Sequence, residues 1–475
     1  MLMIRTIFNK EITDFRQDRR SWLITAVLYL LFALGLSEGY RYYIETTTIH
    51  ELAARESYEQ WLSQGKKNPH AAAHYGFYVF KPLSPLSILD KGMESYLGQT
   101  VWLEAHNQNE VKERQANDAG SLARIGEFSA GLVWYMILPL AIILLGFNLF
   151  NKERENGTLR FWLSSQVSIG QILIGKWLAL YIWSLVLLLP MLAAATLTIA
   201  VANAAIMKLY LGRLLLLFVA LLAYVAFWTL ATLLVSFYTH QPSIALTLLI
   251  GFWALGCFFV PRLSSTIAKV VYPAPSSFEF SENIRLDIEL GLDRQTPAKA
   301  RQKHLQDSLL AQYGVDSIHQ LPINYTGAML QYNEDYGYRV FEKNYGQLHY
   351  VYRQQDKVME WSSLLSPPLA MRHLMVHLSG TGLVRHLHFA QQAEAHRRLI
   401  VKTMNDDIMN NGAGKRVYEN DDKLWRKIPP FVYRIPSLAH DAPYAAIPLF
   451  ALGLWLFLAV WWLMRPLMVQ KVVEI

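Results

Sequence analysis

The chain has 475 residues, 53% of them hydrophobic and 17% charged, with a formal net charge of +7 and a single cysteine, Cys257. That is too apolar for an ordinary soluble enzyme and too charged to lie wholly in lipid, which leaves a membrane protein with sizeable aqueous parts. One thiol excludes an intrachain disulfide and a cysteine-based metal cage, and the basic excess comes with no recognition motif, so no nucleic acid is expected as a partner.

Residues 1–20 place Ile4, Ile7, Phe8, Ile12 and Phe15 at spacings of three and four, with Arg5, Lys10, Arg16 and Arg19 around the stripe. This predicts an amphipathic helix in the membrane interface, serving as an entry ramp or binding a partner. Ser21 to Ser37 (21–37) is a first span; a charged helix precedes it and no small-residue cleavage site follows, so it is expected to stay as an anchor. In the long segment 38–127, Glu38 to Leu62 continues that span as a polar, aromatic-rich helix, and PHAAAHYGFYVFKP is the best strand candidate. The second span is Phe128 to Phe150 (128–150). After the charged island 151–176 comes a third, Trp177 to Met207 (177–207), with Pro190 as a point of bending.

Leu214 to Pro261 carries no Asp, Glu, Lys or Arg and is too long for one helix. SFYTHQPS divides it into a fourth span, 214–238, and a fifth, 243–261. A second long segment, 262–441, precedes the sixth span, Ala442 to Met464 (442–464), and the tail 465–475. The fold class is mainly α: a six-helix transmembrane domain with a mostly helical extracytoplasmic ectodomain built from the two long segments, which should fold against each other. Basic residues gather at the N-terminus (Arg5, Lys10, Arg16, Arg19, Arg20), in the island (Lys152, Arg154, Arg160, Lys176) and in the tail (Arg465, Lys471). These three stretches share one side of a six-span chain, so that side is cytoplasmic and the long segments are periplasmic, in a bacterial inner membrane.

The island reads NKERENGTLRFWLSSQVSIGQILIGKW. Glu153 and Glu155 precede Gly157; Leu159, Phe161, Trp162 and Leu163 then give apolar repeats before a new helix starts. This predicts a short helix across the cytoplasmic face, offering charge to the aqueous side; the plainer reading is an amphipathic loop. The stretch resembles the segment after the second span of ABC-2-type permeases, where an acidic pair, Gly-Thr-Leu, a coupling helix and Gly-Lys recur. On that resemblance Glu153, Glu155, Gly157, Thr158, Leu159, Gly175 and Lys176 occupy matching positions. It departs from the pattern at Gln166, where Pro is frequent, and at Gly170, where Arg is. The plan of two long outer segments, with FKPLSPLSILDKGMESY in the first and LLSPPLAMRHLMVHLSGTGLVRHLHFAQQAEAHRRLI in the second, resembles the large-ectodomain branch of the family. That branch includes permeases of copper-enzyme maturation and gliding-motility systems; it often has Asp where Gly382 stands here.

The resemblance implies a permease without an ATPase site of its own, paired with a second copy or a paralogous permease and surrounded by lipid. A separate ABC ATPase dimer would supply ATP and Mg and dock on Glu153, Glu155, Gly157, Thr158, Leu159, Arg160 and Trp162. The residues agree. No fixed charge lies within the uncharged runs, so no intramembrane ion relay is visible. The nearest approach to a phosphate-binding loop, NNGAGKRV, has Met409 in place of the first Gly and Arg416 in place of the hydroxyl, and the chain itself should hold no cofactor. No nucleophile, base and orienting group cluster at a recognisable spacing either.

The histidines raise a rival. His373 and His377 share a helical face, with Met371, Met375, His386 and His388 close in sequence, a ligand mix suited to copper. His386 and His388 point apart on a helix, so the set is not one site in a continuous helix, and packing or polar roles are favoured over a metal. Three functions are therefore weighed: the membrane subunit of an ATP-driven exporter, a mechanical transmitter acting on a periplasmic partner, and a membrane-anchored copper-handling module. None names a substrate.

Overall fold

A computed structural model describes residues 2–111, 128–205 and 207–468. Part of the first long segment and residues 469–475 of the tail, including Lys471, lie outside them. Six helices in the described residues are long and apolar enough to cross a membrane, one for each expected span. The chain is mainly helical, with the build of a multi-pass membrane protein.

Helix α1, Leu2–Gln17, lies along the third span. Ile7 and Phe15 of its apolar stripe are buried together with Glu11, while Ile4, Phe8 and Ile12 are half-buried. Asp18 then caps α2, accepting from the Arg20 N–H, and α2 runs unbroken from Arg19 to Leu62. The expected continuation of the first span is thus one 44-residue helix. It passes Ile88 so closely at Gly39 that a Cβ there would sit 2.0 Å from the Ile88 carbonyl oxygen.

The strand candidate is half right. Asn68 caps a helix, α3 (Pro69–Tyr75), with Pro69 in its first turn, where a missing N–H costs nothing. Gly76, at φ +55°, ends it, and only Phe77–Phe80 forms β1. Strand β1 pairs antiparallel with β2 (Thr100–Leu103), Phe77 opposite Leu103.

The second span is α4, residues 130–146, with a π-helical turn at Val133–Ile137. Helices α5 (Asn151–Glu155) and α6 (Thr158–Ser164) lead to α7 (Ile169–Ala202), which starts with a capping box between Ser168 and Gln171. Helix α8 (Met207–Tyr238) and α9 (Pro242–Val271) are separated where SFYTHQPS predicts, with Pro242 opening α9. Then follow α10 (Ser277–Leu290), α11 (Ala298–Tyr313), α12 (Tyr325–Trp361), α13 (Pro367–Ser379), α14 (Leu383–Asn411) and the last span α15 (Leu438–Met468).

Spans bounded at the first charged residue are too short. Helix α7 begins before Lys176, α8 before Arg213 and α15 before Asp441, and all three side chains are buried. Each is tolerated because it is paired. Asp441 accepts from Arg213 at 2.7 Å and Arg385 at 3.0 Å, and Arg213 also donates to the Pro436 carbonyl at 2.8 Å. The third span ends early, at Ala202, where Asn203 donates to the Tyr43 hydroxyl at 3.2 Å.

Outside the spans the two long segments share a core of Trp61, Phe77, Val101, Phe389, Val401 and Trp425. Tyr58 donates to the Ile428 carbonyl at 2.7 Å, and the Trp61 and Trp425 rings lie 6.2 Å apart. This polar domain stands at the opposite end of the bundle from α1, α5 and α6.

Candidate functional site: the basic end of the bundle

The island folds as two short helices bent at Gly157, whose φ is +74°. That left-handed conformation is cheap for glycine and costs other residues roughly 1–2 kcal/mol. A Cβ on Gly157 would meet nothing within 4 Å, so the constraint is the backbone angle alone. The bend turns α6 back across the end of the bundle. Gln166, at φ +60°, makes the return turn, a backbone state that proline, locked near −65°, could not adopt.

Three buried charges, Glu11, Glu153 and Lys176, and the half-buried Lys10 meet beneath the bend. Lys176 donates to Glu11 at 2.5 Å, to the Leu149 carbonyl at 3.0 Å and to Glu153 at 3.3 Å. Lys10 bonds Glu153 as well, and reaches Glu11 at 3.1 Å and Asp14 at 3.0 Å. Both ammonium groups lie over the Trp162 ring, at 5.7 Å for Lys10 and 5.4 Å for Lys176. Burial alone would lower the Lys10 pKa, but Glu11 and Glu153 outweigh it and raise it. Gly175 permits the arrangement: a Cβ there would lie 2.9 Å from the Ile7 side chain, so any larger residue pushes α1 off α7.

This corrects the reading of Glu153, which is buried rather than offered to water. Arg154 is also turned inward, donating to the Thr239 carbonyl at 2.6 Å and to the Phe237 carbonyl, and so caps the end of α8. Leu159 is buried and Trp162 is half-buried over the two lysines. What faces outward is Glu155, Gly157, Arg160 and Phe161, with Thr158 at the margin. Phe161 is 68% exposed. A cavity of about 470 Å³ beside this face is lined by Phe150, Arg154, Glu155, Leu159, Leu163 and Phe237.

The histidine group of the second segment does not assemble as its spacing invites. Met371 and Met375 are buried in the apolar core. The His373 and His377 rings are 6.2 Å apart, but His377 Nε2 meets Glu360 at 3.1 Å, and it is Asp356 and Glu360 that lie within reach of a common ion with it. Burial, with His377 and Arg372 nearby, pushes His373 down to about 3. His388 faces the Tyr433 hydroxyl at 3.0 Å on α14, a separate helix begun after Gly380, Thr381 and Gly382. Asp356 borders a cavity of about 410 Å³ between the two long segments.

Six apolar spans, a helical polar domain at one end and a bent pair of short helices at the other define a multi-pass membrane permease. The family comparison agrees: residues 5–335, more than half of the chain, match the ABC-2 family transporter protein model, and the chain belongs to that family. Residues 279–434 match a domain of unknown function (DUF3526) that overlaps it and covers most of the second long segment. No curated protein matches the chain.

Proposed function

We propose that the chain is the membrane subunit of an ATP-driven exporter, moved by a separate ABC ATPase that docks on the outward face of α5 and α6. The observation that carries this is the division of labour within the island. Glu153, Arg154 and Leu159 tie it to three helices of the bundle, while Glu155, Arg160 and Phe161 project from it. A rigidly seated surface with an exposed aromatic and two charges suits a groove on a partner, where single truncations cost a few kcal/mol. On this reading the basic end is cytoplasmic, the polar domain is periplasmic, ATP and Mg belong to the partner, and a second permease completes the pathway.

The test is Glu155→Lys and Gly157→Val in cells that carry the ATPase. Both variants should reach the membrane in normal amounts, yet fail to co-purify with the ATPase or to stimulate its turnover. Wild-type association and coupled activity in both would sink the reading.

The mechanical alternative rests on a different observation. The two long segments share one core, so motion of the spans would reach the polar domain as a whole. Transport of a solute by reconstituted protein, against none despite coupled ATP turnover, separates the two.

A further inference from the structure

Far from the basic end, α3 and the turn after β2 bring three imidazoles together. His70 and His74 are four residues apart on α3, hence on one face, and His106 approaches from the turn. The three ring centroids stand 4.8 to 4.9 Å apart in every pairing, and one ligand nitrogen from each lies within 4.8 Å of the others. The closest approach is His70 Nε2 to His106 Nε2, 3.1 Å.

The surrounding hydrogen bonds decide what those two nitrogens carry. Gln331 donates its amide to the Asp335 carboxylate at 2.7 Å, which turns its carbonyl oxygen toward Asn405. Asn405 donates to that oxygen at 3.2 Å, so its own carbonyl oxygen faces His70 Nδ1, 3.1 Å away. The proton of neutral His70 is therefore on Nδ1, and Nε2 presents a lone pair. His106 is fixed in the same sense by the buried Glu334, whose Oε1 accepts from Nδ1 at 2.5 Å and from the His106 backbone N–H at 2.9 Å. Its Nε2 also presents a lone pair.

Two lone pairs aimed at each other across 3.1 Å repel unless a cation lies between them. A proton would bridge only His70 and His106, whereas a ligand nitrogen of the third ring, His74, also lies within 4.8 Å of theirs. A metal satisfies the geometry better. Imidazole nitrogens on a tetrahedral zinc at about 2.0–2.1 Å lie roughly 3.3–3.4 Å apart. Ligand histidines of this class typically donate their second nitrogen to a carboxylate or carbonyl oxygen, as His106 does to Glu334 and His70 to Asn405. His106 is moreover held at φ +67°, a backbone state a non-glycine residue keeps only when its surroundings impose it.

The geometry points to a three-histidine site, His70, His74 and His106, for a divalent transition-metal ion of the zinc class. The outer residues Asn405, Gln331 and Glu334 belong to the second long segment, so the ion would fasten the first segment's α3 and β2 turn onto α12 and α14. His74 and His106 are exposed, which leaves the fourth coordination position to water.

The full-length chain, purified in detergent and stripped with EDTA, is to be given Zn²⁺ alone and its bound zinc counted after desalting. Affinity comes from competition with a chromophoric chelator. One zinc per chain is expected, with affinity reduced at least about 10-fold in His74→Ala, an exposed position, and about 10–100-fold in Glu334→Gln. Zinc should be unchanged in His377→Ala, which removes the only histidine of the Asp356 and Glu360 cluster. Co²⁺ in place of zinc should give the intense visible bands of a four-coordinate site, absent in His74→Ala. Substoichiometric zinc in the parent, equal affinity in parent and His74→Ala, or loss of zinc in His377→Ala would each overturn the assignment.

Discussion

Replacing Lys176 with methionine should release α1 from the bundle. The ammonium group is 1% exposed and serves two carboxylates, Glu11 and Glu153, which are themselves only 3% exposed. Methionine fills the space of the stem but leaves those carboxylates with Lys10 alone, which is one-third exposed and already shared with Asp14. Removing one partner of a buried ion pair costs about 3–5 kcal/mol, and the remaining Lys10 places this case near the lower figure. About 3 kcal/mol corresponds to a roughly 150-fold rise in the open population. The six spans should stay packed, because their apolar core holds them together and the network adds only α1 and the island at one end of it. Amide hydrogen exchange in detergent or nanodiscs reads this directly: protection of α1 should fall by about two orders of magnitude while α8 is unchanged. Lys176→Met combined with Glu153→Gln removes a stranded charge and should recover part of the protection. Undiminished protection of α1 in Lys176→Met would refute the reasoning, since the four charges would then contribute nothing to holding it.

Burial, with Glu360 adding to it, raises the Asp356 carboxyl to about 6 from its ordinary 3.8, against opposition from His377 and Arg353. The folded state therefore holds this proton more tightly than the unfolded one, and stability falls as pH rises from about 4 to 6, by at most about 3 kcal/mol. Asp356→Asn should raise the melting temperature at pH 7.5 and leave it unchanged at pH 4; an equal gain at both values would point to packing instead. In a Cys257→Ser background, a membrane-impermeant thiol reagent should label single cysteines near His74 and Gln355 in intact cells but not near Asn156, and labelling near Asn156 would reverse the proposed orientation. Because Gly157 is limited by φ and not by space, Gly157→Asn should retain more ATPase association than Gly157→Val, asparagine being more at ease in left-handed geometry; equal losses would implicate something other than the backbone angle.

The spans were legible because an uncharged run long enough to cross a bilayer has few other folds open to it, and Pro242 punctuates the longest run. The charged ends were not. Lys10 and Glu153 are 143 residues apart, and nothing local to ERENG says that the first acid turns inward while the second faces out. In the second segment the four-residue spacing of His373 and His377 is real, but Glu360 on another helix takes one of them. The cluster that does converge, His70, His74 and His106, joins a helix to a turn 36 residues on, across β1 and β2. PHAAAHYGFYVFKP read as a strand conceals it, because a strand would keep His70 and His74 on one face but set them about 13 Å apart, too far to share a ligand.

Helix α2 has a mechanical meaning that its length and its tight passage at Gly39 set together. From Gly39 to Leu62 it extends about 35 Å at roughly 1.5 Å per residue, and the close seat against Ile88 makes a natural fulcrum. A swing of about 5° of the rod around that point sweeps its tip through roughly 3 Å, by the same rise per residue. The tip is not loose. Trp61 is packed against Trp425, and the chain from Trp425 runs directly into the last span at Leu438. The first and sixth spans are thereby two arms joined through the shared core of the long segments, with Arg426 to Ser437, free of helix and strand, as the slack between that joint and the last span.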